Sequence, residues 1–271
     1  MKAGISTFAY NWAIGVPGSA LVPAHPMTGM DFMINAKDLG VHLVQFGDNL
    51  PLHTLGSGEC SGLLNFARSN SINIQVGTRG LKDDILEIYL QLAEYFSSDI
   101  LRIVIDLKGY EPSVEEIVVI LKRWEPRARA KNIVIAVENH DRFTCDKLIA
   151  IMDAVDSPFV RICLDTVNSF GALEGPDTVI GKLAPYTINV HIKDFAVRRL
   201  ESNLGFIVQG VPAGSGVLNM DLISKNPRIH ADTAVLELWT PPEATIDETI
   251  KKEKSWVQQS INYLGTIFGT L

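Results

Sequence analysis

Four residues of metal-ligating type close four apolar runs in this chain. Glu138 follows Ile133-Val134-Ile135-Ala136-Val137, and Asp165 follows Ile162-Cys163-Leu164. His191 follows Ile188-Asn189-Val190, and Glu237 follows Ala234-Val235-Leu236. Runs this rich in β-branched residues read as strands buried on both faces of a parallel sheet, with the polar load at the C-terminal end, where α/β folds keep their chemistry. Because side chains alternate along a strand, Glu138 shares a face with Val134 and Ala136. In the same way Cys163 lies below Asp165, Asn189 below His191 and Val235 below Glu237, and the outward positions are apolar on all four strands. Three carboxylates converging without a cation would repel one another and leave buried charge unpaired, at several kcal/mol per group. A divalent ion removes that penalty. Hard oxygens with one imidazole suit Mn²⁺ or Mg²⁺ best, with Co²⁺ and Zn²⁺ as alternatives.

The elements that must position these residues repeat along the chain. Earlier strand-like runs are Ala3–Ala9, Val41–Phe46, Ile72–Val76 and Ile100–Ile105. Helical spacing predicts Met30–Leu39 behind an N-cap at Thr28, Cys60–Arg68, and Asp83–Phe96. Ser113-Val114-Glu115-Glu116 is a capping box opening Val114–Trp124, with Pro126 expected to kink or restart the helix. Thr144–Val155, Pro176–Leu183 and a short Met220–Ser224 follow, and a second capping box at Thr245-Ile246-Asp247-Glu248 opens a closing helix to about Leu264. Eight strands alternating with eight helical segments predict a parallel α/β sheet, and 271 residues match the roughly 250 of a (β/α)₈ TIM barrel. With no linker or low-complexity stretch, residues 1–271 read as one domain. The segment from Asp194 to Leu218 shows neither strand nor helix signal. Lying just after His191, it reads as an active-site lid, with a plain surface excursion as the alternative.

Composition narrows the function. A net charge of −7 argues against nucleic acid, whose binding rests on Lys and Arg neutralising phosphates. No apolar run approaches the length of a membrane span. Cys60, Cys145 and Cys163 are widely spaced and fit a reducing compartment, so a cytoplasmic protein is the expectation.

The motifs Val137-Glu138-Asn139-His140, Leu164-Asp165-Thr166, Val190-His191-Ile192-Lys193-Asp194 and Leu236-Glu237-Leu238-Trp239 resemble those of the xylose isomerase-like TIM barrel superfamily of sugar isomerases and epimerases. The resemblance spans nearly the whole chain. It implies that Glu138, Asp165, His191 and Glu237 hold one divalent metal, and that Glu138 and Glu237 also form the acid/base pair of the epimerase members. Those epimerases carry a substrate-binding His three residues after the aspartate, where this chain has Asn168. The stretches 165–172, 138–143 and 191–199 are similar to a 3-oxo-isoapionate decarboxylase-like subgroup acting on branched or oxidised sugar acids. The resemblance also makes homodimers or homotetramers the assemblies to expect.

The implied chemistry starts with a small keto-sugar or oxo-sugar acid that chelates the ion, which stabilises a developing enediolate. Proton return gives an isomerase or epimerase, the leading expectation. Loss of CO₂ or of a β-hydroxyl gives a lyase on the same scaffold, and a non-catalytic sugar-binding barrel is the reading from another class. Lys193, two residues past His191, points to the same mouth as a catalytic candidate, although a salt bridge to a neighbouring carboxylate fits equally. His140, Asn168, Trp239, Phe8 and Tyr10 are the substrate-binding candidates, and Asn139 is expected to orient its neighbours. Arg102 and Asp106 share a strand face and are expected to pair, and Arg198 and Arg199 could reach an anionic substrate group from the long loop.

Overall fold

A computed structural model describes residues 1–269. Eight parallel strands close into a barrel: β1 (Lys2–Ser6), β2 (Leu43–Phe46), β3 (Asn73–Arg79), β4 (Ile100–Val104), β5 (Val134–Glu138), β6 (Val160–Asp165), β7 (Thr187–Ile192) and β8 (Thr233–Leu236), each beside its neighbours in sequence. Helices return the chain from each strand to the next, so the fold is a (β/α)₈ barrel. Outward side chains such as Ile103, Ile135, Val137, Leu164 and Val190 are fully buried beneath the helices. The barrel interior is different, because its apolar filling, Ile100, Ala136 and Cys163 with Leu43 and Val235, is interrupted by amides. Gln45, Gln75, Asn189 and Thr233 fill the remainder.

The capping boxes at Thr28/Asp31, Ser113/Glu116 and Thr245/Glu248 all form, fixing the starts of three helices. Pro126 neither ends nor restarts its helix, which runs unbroken over Val114–Ala130. Pro126 faces solvent, so the carbonyl that its missing N–H leaves free is open to hydration and the helix tolerates it. β1 is shorter than the sequence suggests. It stops at Ser6 and turns into a 3₁₀ segment, Thr7–Tyr10, followed by the short helix Asn11–Ile14.

The expectation of a structureless stretch after Asp194 is corrected. Asp194–Arg199 and Phe206–Val211 pair antiparallel as a hairpin. Its root is held by Asp194, which accepts the N–H groups of Gly214, Gly216, Phe195 and Leu218 at 2.8–3.0 Å. Gly210 lies where any Cβ would collide with the Trp239 carbonyl, and Phe195 meets Phe170 edge-on at 5.0 Å. The hairpin root is therefore packed on the rim of the barrel mouth, while Leu204, Phe206 and Val208 beyond it are exposed. Among the described residues no helix is long and apolar enough to cross a membrane.

The closing helix (Ile246–Phe268) fixes the first loop. Buried Glu253 accepts the N–H groups of Trp12 and Ala13 at 2.9 and 3.0 Å. Burial pushes its carboxyl up to about 7, against the pull of those two donors. Between 4.5 and about 7 the folded chain thus holds a proton that the unfolded chain has released, and this contribution to stability is lost as pH rises through about 7. The total is at most ~3 kcal/mol. Urea midpoints from pH 5 to 8 are expected to fall more steeply in the wild type than in Glu253→Gln. Parallel profiles would contradict this assignment.

Candidate metal centre

The strand register brings the four tips into one layer system. Glu138 lies beside Cys163, Asp165 beside His191, and His191 beside Val235, while Glu237 follows directly after β8, its N–H bound to the Ile192 carbonyl. Asn139 ties β5 to β6, accepting from Asp165 N at 2.7 Å and donating to Asp165 O at 2.9 Å. Asp165 Oδ1 accepts the N–H groups of Val167 and Asn168, which fixes its rotamer.

Two buried atoms, His191 Nδ1 and Glu237 Oε1, converge without a hydrogen-bond partner, and Glu138 Oε2, paired with Arg102 Nε, faces the same point. His191 Nδ1 is 3.4 Å from Glu138 Oε2, 3.3 Å from Glu237 Oε1 and 3.9 Å from Asp165 Oδ2. A buried polar atom left unpaired costs about 1–3 kcal/mol, so two facing each other beside a third carboxylate oxygen call for a shared partner. Donors each about 2.1 Å from one cation lie roughly 3.0–3.4 Å apart at octahedral or tetrahedral angles, which matches the spacing found. The donor set therefore fits a divalent ion. Asp165, His191 and Glu237 group closely enough to share it, as do Glu138, Cys163 and His191. Cys163 is the weaker candidate of that second group, because burial, with Glu138 beside it, drives its thiol upward.

Cations balance the carboxylates. Lys193 Nζ bridges Asp165 Oδ2 at 2.6 Å and Glu237 Oε2 at 2.7 Å. Arg102, buried, contacts Glu138 Oε2 through Nε and meets Asp48 Oδ1 at 2.9 Å. Burial pushes the Glu138 and Glu237 carboxyls upward, but Arg102 and His191 around the first, and His191 and Lys193 around the second, hold both below the usual range. Arg102 does not pair with Asp106, as alternation predicts. β4 ends at Val104, so Asp106 leaves the strand face and takes Arg142 instead, at 2.8 Å.

Beneath the layer, His191 Nε2 lies 2.7 Å from Gln45 Oε1. The network assigns the proton to Nε2, which leaves the Nδ1 lone pair aimed at the convergence point. Gln45 donates to Gln75 Oε1 at 3.1 Å, and Asn189 donates to Thr233 Oγ1 at 2.6 Å, so amides run down the barrel axis. Gln45→Met, which removes the acceptor, is expected to weaken divalent-ion binding about 10–100-fold, whereas Gln45→Glu keeps it. Calorimetric titration with Mn²⁺ checks both, and equal affinities for Gln45→Met and wild type would exclude this role.

A cavity of about 210 Å³ opens above the donors, and Phe8, His140, Asn168, Lys193 and Trp239 line it together with Glu138 and Glu237. Asn168 is committed to Glu138, donating to Oε1 at 2.6 Å, and receives Lys193 Nζ at 3.3 Å. Tyr10 is placed elsewhere. The 3₁₀ turn after Ser6 breaks the strand alternation, and its buried ring packs edge-on against Phe32. Arg198 and Arg199 stay on the hairpin, bonded to Gln209 and Asn203. Sequence reasoning missed Arg79, Asn11 and Gln45. Arg79 carries the signal used for the other tips, a polar residue closing a strand, and Gln45 is the one polar residue of Leu43–Phe46. A larger cavity, about 640 Å³, lies at the opposite end beside Lys2, Asn73 and Thr233. It is far from the donors, at the face where barrels of this type do not place their chemistry.

Residues 84–263 match the family model of the xylose isomerase-like TIM barrel. The chain is 31% identical over 268 residues to a 3-oxo-isoapionate decarboxylase of Pectobacterium atrosepticum, covering 98% of this chain and 96% of that protein. Among solved structures, a D-psicose 3-epimerase with D-tagatose from Clostridium cellulolyticum superposes with a TM-score of 0.72 at 14% identity, covering 98% of this chain and 99% of that one. A xylose isomerase-like TIM barrel protein from Mycobacterium smegmatis in complex with magnesium gives 0.65 at 12% identity, with 97% of each chain covered. The two structural likenesses support the fold alone. The matched model and the full-length relative go further: the chain belongs to the xylose isomerase-like TIM barrel family.

Proposed function

We propose that this protein is a divalent-metal-dependent lyase that releases the carboxylate of a 3-oxo sugar acid as CO₂. One observation carries the reading. Both glutamates are weak bases, since Asn168 and Arg102 flank Glu138, and Lys193 on Oε2 with His191 beside it flanks Glu237, which holds both carboxyls below the usual range. Epimerisation needs carboxylates that take and return protons, whereas decarboxylation needs cations that absorb developing negative charge. The relative of similar length, a decarboxylase, points the same way.

A divalent ion on Glu138, Asp165, His191 and Glu237 supplies Lewis-acid polarisation of substrate oxygens, worth several kcal/mol, and Mn²⁺, Mg²⁺, Co²⁺ and Zn²⁺ all suit that donor set. The C–C bond to the carboxylate breaks, its electron pair moves onto the 3-oxo oxygen, and CO₂ departs. Arg102 and Lys193, both buried at the wall, offset the charge of the resulting enediolate. Lys193 Nζ gives a proton to the carbon that lost CO₂ and regains one from solvent. His140, Asn168, Phe8 and Trp239 shape the space around the sugar.

The isomerase or epimerase reading keeps one support, that Glu138 and Glu237 both line the cavity. The two separate by product. With Mn²⁺ and a 3-oxo sugar acid we expect stoichiometric CO₂ release. Incorporation of deuterium from D₂O into unchanged keto-sugars, with no CO₂ from the acid, would replace the lyase by the epimerase.

A further inference from the structure

We infer that Arg79 is the residue that selects an anionic substrate, clamping its carboxylate through the free edge of the guanidinium. The inference rests on the sugar-acid reading above and assigns the recognition to a residue outside the metal donor set.

Three cations line the cavity, and two are fully engaged. The Arg102 side chain, 3% exposed, lies between Glu138 and Asp48, and that of Lys193, 6% exposed, lies between Asp165 and Glu237. Arg79 differs. It closes β3 with 29% of its side chain exposed, and among the described residues its only carboxylate contact is Nε to Asp48 Oδ2 at 3.0 Å, on a carboxylate already shared with Arg102. Its Nη2 approaches His140 Nε2 at 3.4 Å, a long contact to a ring whose Nδ1 meets Asp141 at 2.8 Å. Nε is thus pinned, no bond to Nη1 is found among the described residues, and the residue lines the cavity, which leaves donors of a rigid fork for a carboxylate.

The charge count agrees. Arg79, Arg102 and Lys193 face Asp48, Glu138, Asp165 and Glu237, one negative charge in excess. A divalent ion reverses the excess to one positive charge, which a single substrate carboxylate neutralises. Departure of that group as neutral CO₂ ends its hold on Arg79, so the clamp acts on binding more than on the chemical step.

The test uses the Mn²⁺-loaded full chain, with D-glycerate and its neutral amide, D-glyceramide, as probes in calorimetric titrations. Wild type is expected to prefer glycerate at least about tenfold. Arg79→Met is expected to lose that preference by weakening glycerate alone, with Mn²⁺ affinity unchanged, and Arg79→Lys to restore part of it. In turnover the Met variant is expected to raise KM for the acid and leave kcat nearly constant. Retention of the full glycerate preference by a Mn²⁺-binding Arg79→Met overturns the clamp and leaves the sugar-acid reading standing. Absence of any preference in wild type overturns that reading and the clamp with it.

Discussion

Arg102→Met is expected to destabilise the fold by about 3–5 kcal/mol, the range for breaking a buried ion pair from one side. The methionine fills much of the volume, so packing over Phe8, whose ring centre lies 5.4 Å from the guanidinium, is largely kept. The cost is electrostatic. Glu138, with its side chain fully buried, loses its principal cation, and Asp48 keeps only Arg79. Arg102→Lys returns one charge but cannot span both carboxylates, so it recovers part of the loss. Urea unfolding reads the effect directly. Mn²⁺ is expected to narrow the gap, since an ion at the convergence point takes over Glu138. A metal-free variant with a wild-type midpoint would show that Glu138 does not depend on Arg102.

His191→Ala removes the only imidazole among the donors, and divalent-ion affinity is expected to fall by more than roughly 100-fold, the upper end for losing a mere outer partner of a ligand. Turnover falls with it. Elemental analysis after dialysis should find about one ion per wild-type chain and almost none in the variant. A second readout does not depend on activity. An ion at 100 times its Kd stabilises the folded chain by about 2.7 kcal/mol, so Mn²⁺ should raise the melting temperature of wild type and leave that of His191→Ala unmoved. A variant that keeps its ion would disqualify His191 as a ligand.

The barrel and the four strand tips were legible because both follow from strong local rules. Buried parallel strands must be apolar on both faces, so a charged residue at the end of one is conspicuous, and alternation assigns its direction without knowledge of the fold. That rule fails where the backbone leaves the strand. Tyr10 lies past Ser6, where the chain has already turned into a 3₁₀ segment, and Asp106 lies past Val104. Arg102 found its partners across the barrel, on Asp48 and Glu138, and no spacing within one strand encodes such a meeting. The hairpin after Asp194 was hidden by its glycines, and its Phe206-Ile207-Val208 run is exposed instead of half-buried. Gln45 and Arg79 are single polar residues of types that do not announce a metal, and only their neighbours in space give them a role.

The amide column beneath His191 has a consequence for how this barrel can be altered. In a barrel filled by apolar layers, the floor and the catalytic rim evolve separately, since the floor contributes packing alone. Here Thr233, Gln75, Asn189 and Gln45 form an unbroken relay of dipoles from the floor to the imidazole. Replacing the Thr233 hydroxyl frees two amides to rotate, and the disturbance ends at the His191 Nδ1 lone pair, where the proposed ion would bind. Anyone redesigning this scaffold inherits a floor coupled to the proposed metal centre, and sequence drift at that floor is expected to register as altered divalent-ion affinity before it registers as lost folding.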